Sequence, residues 1–513
     1  MGFIEIATGL ALLLLVWDCV EVGRNDAANL VNAVFGARVL RRRFAVALSG
    51  LAVVLGATFS TSVMETARSG IFDPARLPVS AVLTVYVTAY IVDTLLLYTY
   101  SAFGMPVSTT ASLVFELVGG AIAVADDFDI VRWTKVGEVI AAIVISIVLC
   151  GVAAFLLQRA FRAAIRDRAE DPAVIALHGP WIAGLLLTWL TWFMLTKGMK
   201  GWSAARALRS ATLDAYGPVL TLLGLWGGFA LLVYLALRMA RERAARSMFR
   251  VTTVIGMLCM SFAFGQNDLA NGASPGLSAW WLWRHAASGA EAASKIPLPI
   301  WALAGCGVLM AVGMLTPAAQ RVTRASVNTG SQFDHIALYA PRWCRAIARA
   351  WVGRASEAAS LAPPPSLDAR GKRVHFDTLR ASVIMSVSAG VIAFASSRGL
   401  PVSTTYVAFA AVVATGMADR VMSYGDADLK IGRAIWVVFG WFAGAAVAMA
   451  VSAAVASAIL HLGGAGLLGA LATNLLLRRW IARRADRHEK IWHEDLSHRL
   501  RAASVAGAVA EKD

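Results

Sequence analysis

The chain has 513 residues, 58% of them hydrophobic and 15% charged, with a mean hydropathy of +0.64 and a net charge of +15. A soluble domain carries about a quarter charged residues, so this composition excludes an ordinary water-soluble protein. The positive charge gathers in clusters beside long apolar runs and carries no recognition motif, which argues against nucleic acid as a partner.

Runs of about twenty apolar residues match the length a helix needs to cross ~30 Å of hydrocarbon. They are too long and unbroken for barrel strands, and lipid offers no partner to unpaired backbone. The expected fold class is an all-α polytopic membrane protein, integral and multi-pass, in a bacterial inner (cell) membrane. In chain order the expected spans are 3–23, 44–64, 78–100, 106–125, 136–158, 181–197, 215–237, 250–267, 297–316, 378–396, 401–420, 433–459 and 464–477. The last is short enough to be peripheral. The first lacks a basic leader and a small-residue cleavage site, so it is expected to be retained. Cys19, Cys150, Cys259, Cys306 and Cys344 show no pairing or metal spacing and read as small apolar side chains.

The basic clusters orient these spans. Placing residues 38–43 in the cytoplasm puts the N-terminus outside, and alternation then brings 159–168, 238–250, 321–380 and the tail from 478 to the same side. Lys197, Lys200, Arg206 and Arg209 are the moderate exception. Residues 318–377, with the run Pro363-Pro364-Pro365, read as a cytoplasmic insertion, part helical and part flexible. Trp480 and Trp492 read as interfacial anchors of the basic tail.

Two short patterns occur twice, in the same order. Gly23-Arg24-Asn25-Asp26-Ala27-Ala28-Asn29 matches Gly265-Gln266-Asn267-Asp268-Leu269-Ala270-Asn271, and Pro106-Val107-Ser108-Thr109-Thr110 matches Pro401-Val402-Ser403-Thr404-Thr405. With the orientation above, the copies enter from opposite faces. The expected architecture is therefore a pair of inverted-topology repeats with discontinuous helices. The first repeat is 1–158 and the second 250–460; 159–249 holds connecting spans and basic loops, and 461–513 a short apolar segment and the tail.

A carboxylate at membrane depth is costly unless it faces a cavity, a cation or a proton path. Positions three apart share a helix face, so Asp26 with Asn29, and Asp268 with Asn271, present hard oxygen ligands suited to a small cation. Gly23 and Gly265 are expected to let each helix open and expose carbonyls. Pro followed by Ser-Thr-Thr favours a turn and a fresh helix start, where free N–H groups, the dipole and hydroxyls form an anion site. Asn25, Asp26, Ser108, Thr109, Thr110, Asn267, Asp268, Ser403, Thr404 and Thr405 are thus candidate substrate ligands. An anion beside two acids requires an accompanying cation, so the expectation is coupled symport.

These segments resemble the inorganic phosphate transporter (PiT) family, and Val63-Met64-Glu65-Thr66 resembles that family's Val-Thr-Glu-Thr. The resemblance adds Glu65 to Asp26, Asn29, Asp268 and Asn271 as coupling-ion candidates. It implies phosphate transport with Na⁺ or H⁺, with no cofactor and with a homo-oligomer as one outcome. Arg24, Gln266, Ala111, Tyr406 and Phe264 depart from the family pattern, and the last three stand where it has His. Arg24 is expected to snorkel toward the inner surface in preference to facing the pathway, where a guanidinium would strengthen oxyanion binding. The missing His residues leave sulfate or a related oxyanion as the alternative cargo, and Asn-Asp ligands leave a metal-ion transporter or channel as another. No His cluster, activated Ser or Cys, or nucleotide loop points to an enzyme.

Overall fold

Helix satisfies every backbone group within one segment, and the described residues (3–166, 168, 171–199, 202–285, 298–333, 336, 338–352, 374–421 and 426–510) of the computed structural model are organised accordingly. Their single bridge joins Phe72 to Val131. The helices are α1 (Phe3–Gly36), α2 (Arg42–Ala57), α3 (Thr61–Ser69), α4 (Val79–Ala102), α5 (Thr109–Ala125), α6 (Trp133–Ile165), α7 (Pro172–Phe193) and α8 (Ser203–Arg209). They continue with α9 (Ala215–His285), α10 (Ile300–Met314), α11 (Pro317–Thr329), α12 (Arg342–Val352), α13 (Thr378–Ser397), α14 (Thr404–Ala418), α15 (Ala427–Leu462) and α16 (Gly464–Ala510). Arg241, at φ 39° and ψ −119°, breaks α9 into two helices end to end.

Among the described residues, seven helices are long and apolar enough to cross a bilayer, or nine if α2 with α3 (bent by 73°) and α10 with α11 (bent by 70°) are single spans. The chain is a multi-pass integral membrane protein. On α6, Ile145, Val148, Val152 and Leu156 are exposed, as are Leu220 and Leu232 on α9; a contiguous apolar surface of this kind faces lipid. By contrast α1, α4, α13 and the second helix of α9 are largely buried and form the centre.

Two differences from the expected spans bear on the centre. The span expected at 3–23 continues as one 34-residue helix to Gly36, so the first Asn-Asp motif lies within an unbroken helix. The spans expected at 106–125 and 401–420 are α5 and α14, of 17 and 15 residues. At 1.5 Å per residue these reach about 26 and 23 Å, short of the hydrocarbon thickness. Each follows a reversal in which a glycine takes a left-handed φ, Gly104 at 63° and Gly399 at 67°, a conformation that a Cβ would strain.

Gly23 and Gly265 do not open their helices. They are where two backbones touch. A Cβ on Gly23 would lie 1.9 Å from the Met310 carbonyl oxygen, and on Gly313 of the same crossing 2.1 Å from that of Val20. The α9–α2 crossing repeats the device: a Cβ on Gly265 would lie 2.2 Å from Val53 O, and on Gly56 2.0 Å from Phe262 O. Gly265→Val is therefore expected to lower stability by about 1–3 kcal/mol or more through overpacking, read as a fall in thermal melting temperature in detergent.

Within 318–377, two described helices pack on the membrane helices. α11 packs on α1, with Asn32 Nδ2 donating to Ser326 Oγ at 3.1 Å. α12 packs on α15, where Arg345 and Arg349 pair with Asp428 at 2.9 and 3.0 Å. Pro363-Pro364-Pro365 and Lys200 lie outside the described residues. The apolar run at 464–477 opens α16, whose Asn474 and Arg478 bond the α4 carbonyls of Ile91 and Thr94, so it is docked rather than peripheral.

Candidate functional site

Both Asn-Asp motifs sit mid-helix, on α1 and on the second helix of α9, and each is tied to the start of a short helix. Ser108 caps α5 by accepting from Ala111 N at 3.0 Å, and Ser403 caps α14 by accepting from Tyr406 N at 3.2 Å. The first N–H groups of a helix have no intrahelical partner. A cap takes one and leaves the others at the helix start with the positive end of the dipole.

The leading Asn of each motif holds the turn beside it. Asn25 Nδ2 donates to Val107 O (2.9 Å) and Asn267 Nδ2 to Val402 O (2.6 Å). Ser101 Oγ donates to Asn25 Oδ1 and Ser396 Oγ to Asn267 Oδ1, both at 3.3 Å. The trailing Asn reaches the other copy: Asn29 Nδ2 donates to Thr405 Oγ1 (2.9 Å), and Asn271 Nδ2 to Thr109 Oγ1 (2.9 Å) and Thr110 Oγ1 (3.0 Å).

The two carboxylates complete the junction. Asp26 Oδ1 accepts from Thr405 Oγ1 at 2.6 Å and from Asn25 and Asn29 at 3.0 Å each. Asp268 Oδ1 accepts from Asn271 at 2.9 Å and Asn267 at 3.2 Å. Thr109 Oγ1 stands 3.4 Å from both Asp26 Oδ2 and Asp268 Oδ1, so one hydroxyl connects the two acids. Thr110 Oγ1 donates to Val402 O at 3.1 Å, crossing between the turns. Every one of these residues, with Ser108, Ser403 and Thr404, is at most 3% exposed, except the turn valine Val107 at 5%.

Two buried atoms here make no well-formed hydrogen bond, Asp268 Oδ2 and Thr404 Oγ1, and the Thr404 hydroxyl approaches the Asp268 carboxylate. None of the described ion pairs or hydrogen bonds brings a Lys or Arg to the network. Among the described residues no group of three His, Cys, Asp or Glu is arranged to hold a metal ion, so a cation here would be held by mixed carboxylate, amide, hydroxyl and carbonyl oxygens.

The remaining sequence candidates lie around this core. Glu65 is half-buried on α3, whose Thr66 Oγ1 donates to Gly399 O at 2.7 Å beside the second turn. Arg24 pairs with Glu21 at 2.8 Å and lies over the Tyr98 ring. Gln266 Nε2 donates to Phe59 O and Gly198 O, away from the hydroxyls. Tyr406 stacks on Trp441 with centroids 3.7 Å apart, and its hydroxyl approaches Ser108 at the start of α5.

Sequence reading missed Tyr90 and Pro275. Pro275 lies inside α9 and lacks the N–H that would bond the carbonyl of Asn271. One residue on, the Tyr90 hydroxyl accepts from Gly276 N and donates to Gly272 O, each at 2.8 Å, bridging an i, i+4 pair of the ladder. The helix thus opens after the second motif, not at the glycine before it. The proline was the visible signal.

The Phosphate transporter family profile matches residues 22–328, which include both Asn-Asp motifs and the first Pro-Val-Ser-Thr-Thr. The chain is 27% identical over 440 residues to a Thermococcus kodakarensis protein named, by inference, a phosphate permease, covering 84% of this chain and 92% of that one. A Pyrococcus furiosus protein with the same kind of name is 24% identical over 479 residues, covering 90% of this chain and all of its own. A solved structure titled as the sodium-dependent phosphate transporter shares the fold, with a TM-score of 0.65, 20% identity, and coverage of 89% of this chain and 100% of its own.

Proposed function

The chain belongs to the phosphate transporter family, and from that premise we propose that it is a symporter of inorganic phosphate, working by alternating access of two inverted halves. It is a transporter and not an enzyme. In this reading the anion lies between the starts of α5 and α14, among Ser108, Thr109, Thr110, Ser403, Thr404 and Thr405. Coupling cations lie at Asp26 with Asn29 and at Asp268 with Asn271. The observation that carries the reading is Thr109, one hydroxyl of a helix start placed 3.4 Å from the acids of both motifs.

Several features support the inverted halves. Each motif helix crosses a partner through paired glycines, each leading Asn holds the turn of its own half, and each trailing Asn reaches hydroxyls of the other. A junction built by both halves changes its access when one rocks against the other. Na⁺ fits the hard, mixed oxygen set, and the solved relative is sodium-dependent by title.

Phosphate is preferred over sulfate for a chemical reason. Buried carboxylates beside the anion accept hydrogen bonds, and phosphate keeps an O–H at neutral pH that sulfate lacks. A site built to bond such a group rejects the analogue without it. In proteoliposomes under a fixed Na⁺ gradient, excess sulfate is expected to reduce labelled phosphate uptake by less than about 2-fold. Equal competition by sulfate, or phosphate uptake indifferent to every cation gradient, would reject this assignment.

A further inference from the structure

Two turns from Asp26 on α1 lies a second group of acids that the anion site does not use. Asp18 on α1, Asp93 on α4 and Glu116 on α5 are each at most 1% exposed. The carboxyl groups of Asp18 and Asp93 come close enough to share a hydrogen bond, and Asp93 makes the same approach to Glu116. Ser112 Oγ donates to Glu116 Oε1 at 2.7 Å. Both oxygens of Asp18 and Glu116 Oε2 have no donor facing them, and the hydroxyl that approaches Asp93 is that of Ser112, already donated to Glu116.

No cation among the described residues offsets these charges. Glu21, one turn away on α1, draws the nearby guanidinium groups: Arg24 pairs with it at 2.8 Å and Arg478 of α16 with its other oxygen. The other titratable groups facing the cluster are Asp26 and Cys19 on α1, Tyr90 on α4, and Cys306 on α10 against Cys19. On α15 the covering group is Ser452, bonded to Glu116 O. None of these is a cation.

Two ionised carboxylates cannot share a buried contact; a proton between them turns the repulsion into a hydrogen bond. A metal ion is the poorer occupant, because the acids do not take up a metal-holding arrangement. We propose that Asp18 and Asp93, with Glu116 beside them, are a proton-binding site, and that its proton is a second coupling cation of the transport cycle.

The site is physically connected to the anion site. Eight residues along α1 place Asp18 about 12 Å from Asp26, and α5 runs from Thr109 to Glu116. Tyr90, whose hydroxyl bridges the opened ladder of α9 beside Asn271, faces Asp18. The proton is taken up from water on one face and released to water on the other, so charge and atoms balance without a further reactant.

The transport half of this proposal rests on the symport reading; the binding half does not. Two measurements separate them. In infrared titration of the purified protein without substrate, wild type is expected to keep a neutral-carboxyl band at alkaline pH. That band should be lost in Asp93→Asn, where an amide donor replaces the shared proton, and in Asp18→Asn, the second variant should the first not fold. In proteoliposomes with a fixed Na⁺ gradient and constant outside pH, alkalinising the inside tests inorganic phosphate uptake. Wild type should accelerate, and in both variants the ratio of uptake with and without the proton gradient should fall to unity. An unchanged band in the variants overturns the site. Wild-type uptake indifferent to the gradient, or variants that respond as wild type does, overturns its role in coupling. A chain that carries no phosphate defeats the symport reading, and the infrared result then still decides the proton site.

Discussion

Asp26→Asn and Asp268→Asn are each expected to cut Na⁺-driven phosphate uptake roughly 100- to 4000-fold. The change is nearly isosteric. In Asp26→Asn the new side chain can keep its carbonyl oxygen toward Asn25, Asn29 and Thr405, all of which donate to Asp26 Oδ1. Its amide nitrogen can turn toward the Thr109 hydroxyl, which can accept. The fold should therefore survive. The negative charge does not, and a cation bound beside it loses its buried counter-ion at about 3–5 kcal/mol, with a tenfold effect for each 1.4 kcal/mol. Asp268 should be the more sensitive of the two, because its Oδ2 is buried with no well-formed hydrogen bond, only the approach of the Thr404 hydroxyl, and so depends most on a bound cation. Initial rates of labelled phosphate uptake in proteoliposomes, with folding checked by thermal melting, give the comparison. Uptake within a few-fold of wild type in both variants would show that these acids do not hold the coupling cation.

Thr109→Val should weaken phosphate binding by about 10- to 100-fold, and Thr109→Ser should restore most of it. Valine keeps the shape of threonine but deletes a hydroxyl that accepts from Asn271 Nδ2 at 2.9 Å and faces both acids at 3.4 Å. A hydrogen bond to a charged partner contributes about 1.5–3 kcal/mol, and burying its former partner unsatisfied adds to the loss. The serine variant separates hydroxyl chemistry from packing. Equal loss in Val and Ser would point to packing of the β-methyl instead.

How much of this could be read from the residues differs from feature to feature. The duplication of Asn-Asp and Ser-Thr-Thr was visible because short polar patterns stand out in apolar surroundings, and the structure brings those residues into one network. The helix starts at Ser108 and Ser403 were legible because proline and a hydroxyl cap act locally. The role of Gly23 and Gly265 was not. A glycine in a helix can mark an opening or a close crossing, and only the partner backbones at Met310 and Val53 decide which. Asp18, Asp93 and Glu116 lie on three helices and form no pattern in sequence. Their meeting is a property of packing. The partners of Arg24 were half legible, since Glu21 lies one turn away but Tyr98 comes from α4.

The central claim is that the two halves build one shared site and not one site each. Equilibrium binding of labelled phosphate to the purified protein in Na⁺ tests it, using Thr109→Val from one half and Thr404→Val from the other. The account predicts a single phosphate per chain and a loss of affinity for all of it in either variant. Two phosphates per chain, or half of the binding left intact by each variant, would contradict it.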